Sequence, residues 1–231
     1  VFMDVYGGPG TQAVYNSWPG TMQQWYANEG FIVVQVDNRG SAGRGTAFKH
    51  AVYKQLGKWE SHDYVETAKY LATLPFVDKD NIGIWGWSYG GYMSALSLML
   101  GGGHFKAAVS IAPVTDWTLY DTIYAERFMQ RPSDNPDGYK VGSCLEHADT
   151  LKGALLLIHG GLDDNVHVQN TMKLIDRLAP KPAHDEKTKD GRPSDIISPI
   201  ADPPPLVMPT FAPIRVTKHR DGAKPAPRAD M

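Results

Sequence analysis

Ser88 is the residue of this chain best placed to do chemistry. It lies in Gly86-Trp87-Ser88-Tyr89-Gly90, with a glycine two positions away on each side. An apolar run, Asn81-Ile82-Gly83-Ile84-Trp85, precedes it. Tyr92, Ala95, Leu96 and Met99 follow at the i, i+3, i+4, i+7 spacing of one helical face. A strand, a sharp turn and a helix are therefore expected, with the serine at the turn, which is the form of a hydrolase nucleophile elbow. Such a turn leaves no room at its flanks, and glycine also tolerates its dihedrals. A hydroxyl there meets free N–H groups and the positive end of the helix dipole, so developing negative charge is favoured. A purely structural glycine turn is the alternative.

A serine hydroxyl needs a base to take its proton and an acid to orient that base. In α/β hydrolases the chain order is Ser, then Asp or Glu, then His. His159-Gly160-Gly161-Leu162-Asp163-Asp164-Asn165 follows the apolar run Ala154–Ile158 and has the right form for the acid loop. Asp163, the first acid past the glycines, is the candidate acid. A cap or surface turn is its alternative role, and Asp164 is assigned such a role. The eight histidines show no metal-ligand spacing, and no cofactor is expected. The Gly40–Gly45 stretch lacks the Gly-Lys-Ser/Thr ending of a phosphate loop. The single cysteine, Cys144, excludes an internal disulfide and reads as an idle thiol.

The elements that must position these residues alternate along the first part of the chain. Strands are expected at 1–6, 31–36, 82–87, 107–112 and 154–159. A helix capped by Ser61 should carry Val65, Ala68, Leu71 and Ala72, and another should run from His167 to Leu178. This order implies an α/β fold with a mainly parallel sheet covered on both faces. The stretch 116–150 fits a helical or loop excursion over the site. From Pro180 the composition changes: eleven of seventeen prolines lie there. Residues 1–179 are thus expected to form the folded domain and 180–231 a Pro-rich, disordered tail. A net charge of −2 gives no pull toward nucleic acid. No apolar run approaches the roughly eighteen residues of a membrane span.

Four motifs carry a resemblance. They are Tyr6-Gly7-Gly8-Pro9-Gly10, Asp37-Asn38-Arg39-Gly40-Ser41, Gly86-Trp87-Ser88-Tyr89-Gly90-Gly91-Tyr92 and His159 to His167. Together with Ala112–Trp117 and Tyr120–Met129, they resemble the catalytic domain of the prolyl oligopeptidase family of serine peptidases. The dipeptidyl peptidase IV branch is the most similar, from residue 1 to about 178. The resemblance implies an α/β-hydrolase fold, here truncated at both ends, and hydrolysis of peptide bonds after Pro or Ala through an acyl-enzyme on Ser88. It implies oxyanion donors at the Tyr6 hydroxyl and the Tyr89 N–H. It implies a small apolar pocket of Trp117, Tyr120, Tyr124, Val114 and Val166, and a substrate-carbonyl contact from Asn165. Bare spacing would make Trp117, Tyr120 and Tyr124 core residues and Asn165 a turn residue. Arg127 matches a family position without an assigned role. A peptide substrate is implied, and a homodimeric parent is consistent with the family. The compartment is left open among periplasmic, secreted and membrane-anchored.

The chain also departs from that pattern. It reads as a fragment that begins inside a domain, without the family's N-terminal β-propeller. The family's triad histidine sits in an Asn/Asp-His-Gly turn, whereas Ser194–Ser198 occupies that place here. His184 comes too early and His219 too late. The break near Pro180 suggests a displaced reading frame, a hypothesis that resequencing around codon 180 tests. Two other readings stay open: an esterase or broader oligopeptidase on the same fold, and a catalytically dead interaction module.

Overall fold

A computed structural model describes residues 1–179. The alternation resolves into β1 (Phe2–Asp4), α1 (Thr21–Asn28), β2 (Val33–Val34), α2 (Thr46–His50), α3 (Lys58–Leu71), β3 (Gly83–Trp87), α4 (Tyr89–Leu100) and β4 (Ala107–Ile111). After these come α5 (Thr122–Met129), α6 (Pro136–Val141), α7 (Cys144–His147), β5 (Ala154–Ile158) and α8 (Gln169–Leu178). The 116–150 stretch is the expected excursion, three short α-helices and two 3-10 turns joined by irregular segments. The expected Pro-rich tail lies outside the described residues.

The five strands form one sheet, β2-β1-β3-β4-β5, and every neighbouring pair is parallel. Register aligns Met3, Ile84, Ala108 and Leu155 in one row across four strands. All four are buried. They meet α4, whose residues Tyr89 to Met99 are buried without interruption. The apolar stripe expected on α4 is thus too narrow: the helix lies between the sheet and α3, so it needs no polar face. The opposite sheet face, with Phe2, Trp85, Val109 and Leu156, is only half-buried. Phe2, Tyr26, Phe31 and Trp85 make an aromatic cluster there, with ring centroids 4.7–6.3 Å apart. Burial on both faces was expected and only one is closed among the described residues.

The expected cap of α3 is also corrected. The helix begins three residues before Ser61, behind Gly57, whose φ of 90° suits glycine. The Glu60 carboxylate accepts the Gly57 N–H at 3.0 Å, the acidic half of a capping box. Ser61 instead bonds the Lys58 carbonyl from within the first turn.

Candidate active site

The carboxyl ends of β1 and β3 carry the central groups. Ser88 follows β3 directly and has φ 57° and ψ −117°, a left-handed conformation that is strained for a residue with a side chain. Its N–H donates to the Ile111 carbonyl at 2.8 Å, and its carbonyl accepts the Tyr92 N–H at 3.0 Å. Packing explains the glycines around it. A β-carbon on Gly86 or Gly90 would strike the Val5 carbonyl oxygen, and one on Gly91 would strike the Ile111 carbonyl oxygen. The turn is wedged between β1 and β4 by backbone on both sides. As the first residue of α4, Tyr89 has an N–H with no intrahelical acceptor, and this N–H sits one residue after the serine.

Tyr6 stands at the end of β1, 41 % exposed, and its ring centroid lies 6.1 Å from that of Tyr89. Partial burial raises its hydroxyl pKa above the usual phenol value. The turn after it is held by a buried relay. Tyr64 donates to Asn38 Oδ1 at 2.8 Å, and Asn38 Nδ2 donates to the Gly7 carbonyl at 3.2 Å. Arg39 adds a fork onto Asp63 of α3 while stacking 4.1 Å above the Trp59 ring. The Asp37–Ser41 motif therefore braces the turn that presents Tyr6.

The aromatic residues come together as one cluster. Trp117 is buried and stacks on Tyr124 at 5.7 Å; it meets Tyr120 edge-on at 6.0 Å and Tyr89 at 5.4 Å. Val114 and Val166 are buried in the same core. The i, i+3, i+7 spacing does not lie on one helix. Trp117 opens a short 3-10 turn that Asp116 caps, and Tyr124 belongs to α5, which Asp121 caps. Burial pushes the Tyr124 hydroxyl well above the usual range. Tyr120 donates to Asn165 Oδ1 at 2.8 Å, a bond that leaves the Asn165 amide nitrogen outward as a donor. Arg127 is exposed on α5 and lines a cleft of about 730 Å³ with Lys49, His50 and Phe128.

The acid loop is fixed by its own hydrogen bonds. Asp163 Oδ1 accepts the N–H groups of Asn165 and Val166 at 3.0 and 2.9 Å. Asp164 is exposed. His159 lies 3.6 Å from Asp163 Oδ2, with 3 % of its side chain exposed. Its ring is committed: Nε2 contacts the Val166 carbonyl and Nδ1 the Thr171 hydroxyl, both at 2.7 Å. It is a strut beneath the loop and has no nitrogen free to serve Ser88. His184 and His219 lie outside the described residues.

One residue of this site had no assigned part in the sequence. Glu60 is fully buried and accepts the Tyr89 hydroxyl at 2.7 Å on Oε1. Burial pushes its carboxyl up to about 7 against the pull of hydrogen bonds from Tyr89 and Gly57. An acid three residues after Gly57 was the available signal, but it pointed only to a helix start.

A five-stranded parallel sheet with a strained serine between β3 and α4 defines an α/β hydrolase of the serine-nucleophile type. The model of the prolyl oligopeptidase family matches residues 17–195, and the chain belongs to that family. It is 46 % identical over 178 residues to a probable dipeptidyl-aminopeptidase B of Talaromyces marneffei, covering 75 % of this chain and 20 % of that protein. It is 43 % identical over 182 residues to one from Arthroderma otae, covering 77 % and 20 %. Among solved structures, Porphyromonas gingivalis dipeptidyl peptidase 4 superposes with TM-score 0.75 at 45 % identity, covering 77 % of this chain and 25 % of that one. A putative dipeptidyl aminopeptidase IV from Bacteroides ovatus gives 0.74 at 38 %, covering 77 % and 26 %. The chain spans about one fifth of the length of the curated relatives it matches. No described helix is long and apolar enough to cross a membrane.

Proposed function

We propose that this chain carries the nucleophile, oxyanion hole and proline pocket of a dipeptidyl-peptidase-like serine peptidase. The observation that carries the reading is the elbow. A strained Ser88 is locked by three glycines onto the backbones of β1 and β4, and the Tyr89 ring beside it packs against Tyr6 and against Trp117 of the Trp117–Tyr120–Tyr124 cluster. A flat, rigid proline fits an aromatic-walled pocket without losing rotamer entropy, and alanine is small enough to enter.

In the reaction, Ser88 Oγ attacks the carbonyl carbon after Pro or Ala while its proton passes to the base. The carbonyl oxygen becomes an oxyanion held by the Tyr89 N–H and the Tyr6 hydroxyl. Each such donor is worth about 3–4 kcal/mol of transition-state stabilisation. The C–N bond then breaks, the amine leaves with the proton, and water releases the acyl group from Ser88. Asp163 is the acid that orients the base: its Oδ1 takes two backbone hydrogen bonds of the loop, and its Oδ2, among the described residues, faces only the His159 ring at 3.6 Å. Asn165, turned by Tyr120, offers its amide N–H to a substrate carbonyl.

Fluorophosphonate labelling tests the nucleophile. Covalent modification that disappears in Ser88→Ala is the expected result. A folded chain that takes no label would favour the interaction-module reading. Steady ester hydrolysis by the full-length parent, with no turnover of Gly-Pro or Ala-Pro amides, would favour the esterase.

A further inference from the structure

We propose that Glu60 is a positioning residue for acyl transfer: through the Tyr89 hydroxyl it holds the ring, and with it the backbone N–H, of the residue that completes the oxyanion hole. This inference rests on the reading of Ser88 and Tyr89 given above.

Three observations carry it. First, the contact joins two elements that have no other buried charged link. Glu60 stands in the first turn of α3, and the Tyr89 ring hangs from the first residue of α4. The 2.7 Å bond between them is fully buried. Second, Glu60 is held rigidly at its other oxygen by the Gly57 N–H, so the tether has a fixed end. Third, the Tyr89 ring packs between the oxyanion side and the aromatic pocket of the proposed reaction. Its centroid lies 6.1 Å from Tyr6, 5.4 Å from Trp117 and 5.4 Å from Tyr92. A helix start alone does not need this acid. An exposed Glu would cap Gly57 as well, without the cost of burying a carboxylate. The side chain is buried where only the tyrosine gains from it.

The tether is sensitive to protons. A carboxylate accepts a short, charge-assisted hydrogen bond from Tyr89, and a neutral acid accepts a weaker one. Glu60 is faced by Asp63 and Tyr64 from its own helix, by Arg39 from the loop after β2, by Tyr89 and Tyr92 from α4 and by Tyr124 from α5. Burial is the largest influence on its carboxyl and places its titration near neutrality. Site geometry should therefore tighten as pH rises through about 7.

The test uses the whole chain with 3-fluorotyrosine at position 89, read by fluorine NMR, beside fluorophosphonate labelling rates of Ser88. The fluorine resonance is expected to titrate near pH 7, and Glu60→Gln should abolish that titration while the chain stays folded. At pH 8, Glu60→Gln and Tyr89→Phe should each slow labelling by about tenfold, the scale of one hydrogen bond to a charged group. The double variant should be no slower than either single one, because both remove the same bond. A merely structural Glu60 would lower the melting temperature without moving the pH profile of labelling. A resonance that ignores pH, or additive effects of the two substitutions, would overturn the proposal. If no variant labels and the resonance still titrates through Glu60, the tether stands and the nucleophile reading falls.

Discussion

Replacing Gly90 with alanine sets a methyl group against the backbone of β1. The new carbon would collide with the Val5 carbonyl oxygen and lie 3.1 Å from Tyr6 Cα. Neither neighbour can rotate aside. Val5 is held by its N–H to the Trp85 carbonyl at 3.0 Å, so retreat breaks the pairing of β1 with β3. In an ordinary helix, glycine to alanine gains about 1 kcal/mol. Overpacking a close-fitted site costs about 1–3 kcal/mol, and a backbone neighbour puts this site at or above the upper end. A net loss of about 2 kcal/mol is expected. With a urea slope of about 2 kcal/mol per M, the unfolding midpoint should drop by about 1 M. Gly160→Ala is the control: nothing lies within 4 Å of its added carbon, and its midpoint should hold within about 0.5 kcal/mol. Equal midpoints for the two variants would refute the claim that the elbow's glycines are dictated by β1.

Other outcomes follow from the same contacts. The Glu60 carboxyl sits at about 7 in the folded chain against an ordinary value of 4.5. The folded state thus binds more protons between those values, and its stability falls as pH rises through the window, by about 3 kcal/mol in all. Urea midpoints measured from pH 4.5 to 8 should show this slope in the wild type and lose it in Glu60→Gln. Cys144 is buried and its thiol is pushed up by burial, so iodoacetamide at pH 8 should leave it unmodified until urea unfolds the chain. Tyr120→Phe frees the Asn165 amide to turn, and affinity for a proline-containing dipeptide inhibitor should fall about fivefold by calorimetry, the worth of roughly one hydrogen bond.

Much of this architecture was legible in the sequence because local rules and tertiary demands agreed. The strand before Ser88, the helix after it and the parallel order all follow from apolar periodicity and glycine placement. The limits of that reading are equally specific. β2 shrank from an expected six residues to Val33–Val34, because only Phe2 and Met3 of β1 pair with it. Ser61 looked like a cap, while Gly57 and Glu60 do the work through a positive φ that no side-chain pattern announces. The aromatic cluster was expected only from family likeness, since Trp117 and Tyr124 belong to different elements and their spacing alone would have placed them on one helix. Glu60 shows the hardest case. Its partner is 29 residues away, and only the packing of α3 on α4 reveals it.

The strand order has a consequence for how this chain reaches its native state. β1 is flanked by β2, made soon after it, and by β3, whose pairing partners begin 81 residues later at Gly83. During synthesis, β1, α1 and β2 must wait with an open apolar edge until β3 emerges from the ribosome. Parallel pairings at such separation are slow to close and expose sticky surface meanwhile. Tyr6 and Tyr89 meet only when that closure occurs. The same event that finishes the middle of the sheet therefore brings the end of β1, with Tyr6, against the turn that carries Ser88 and Tyr89.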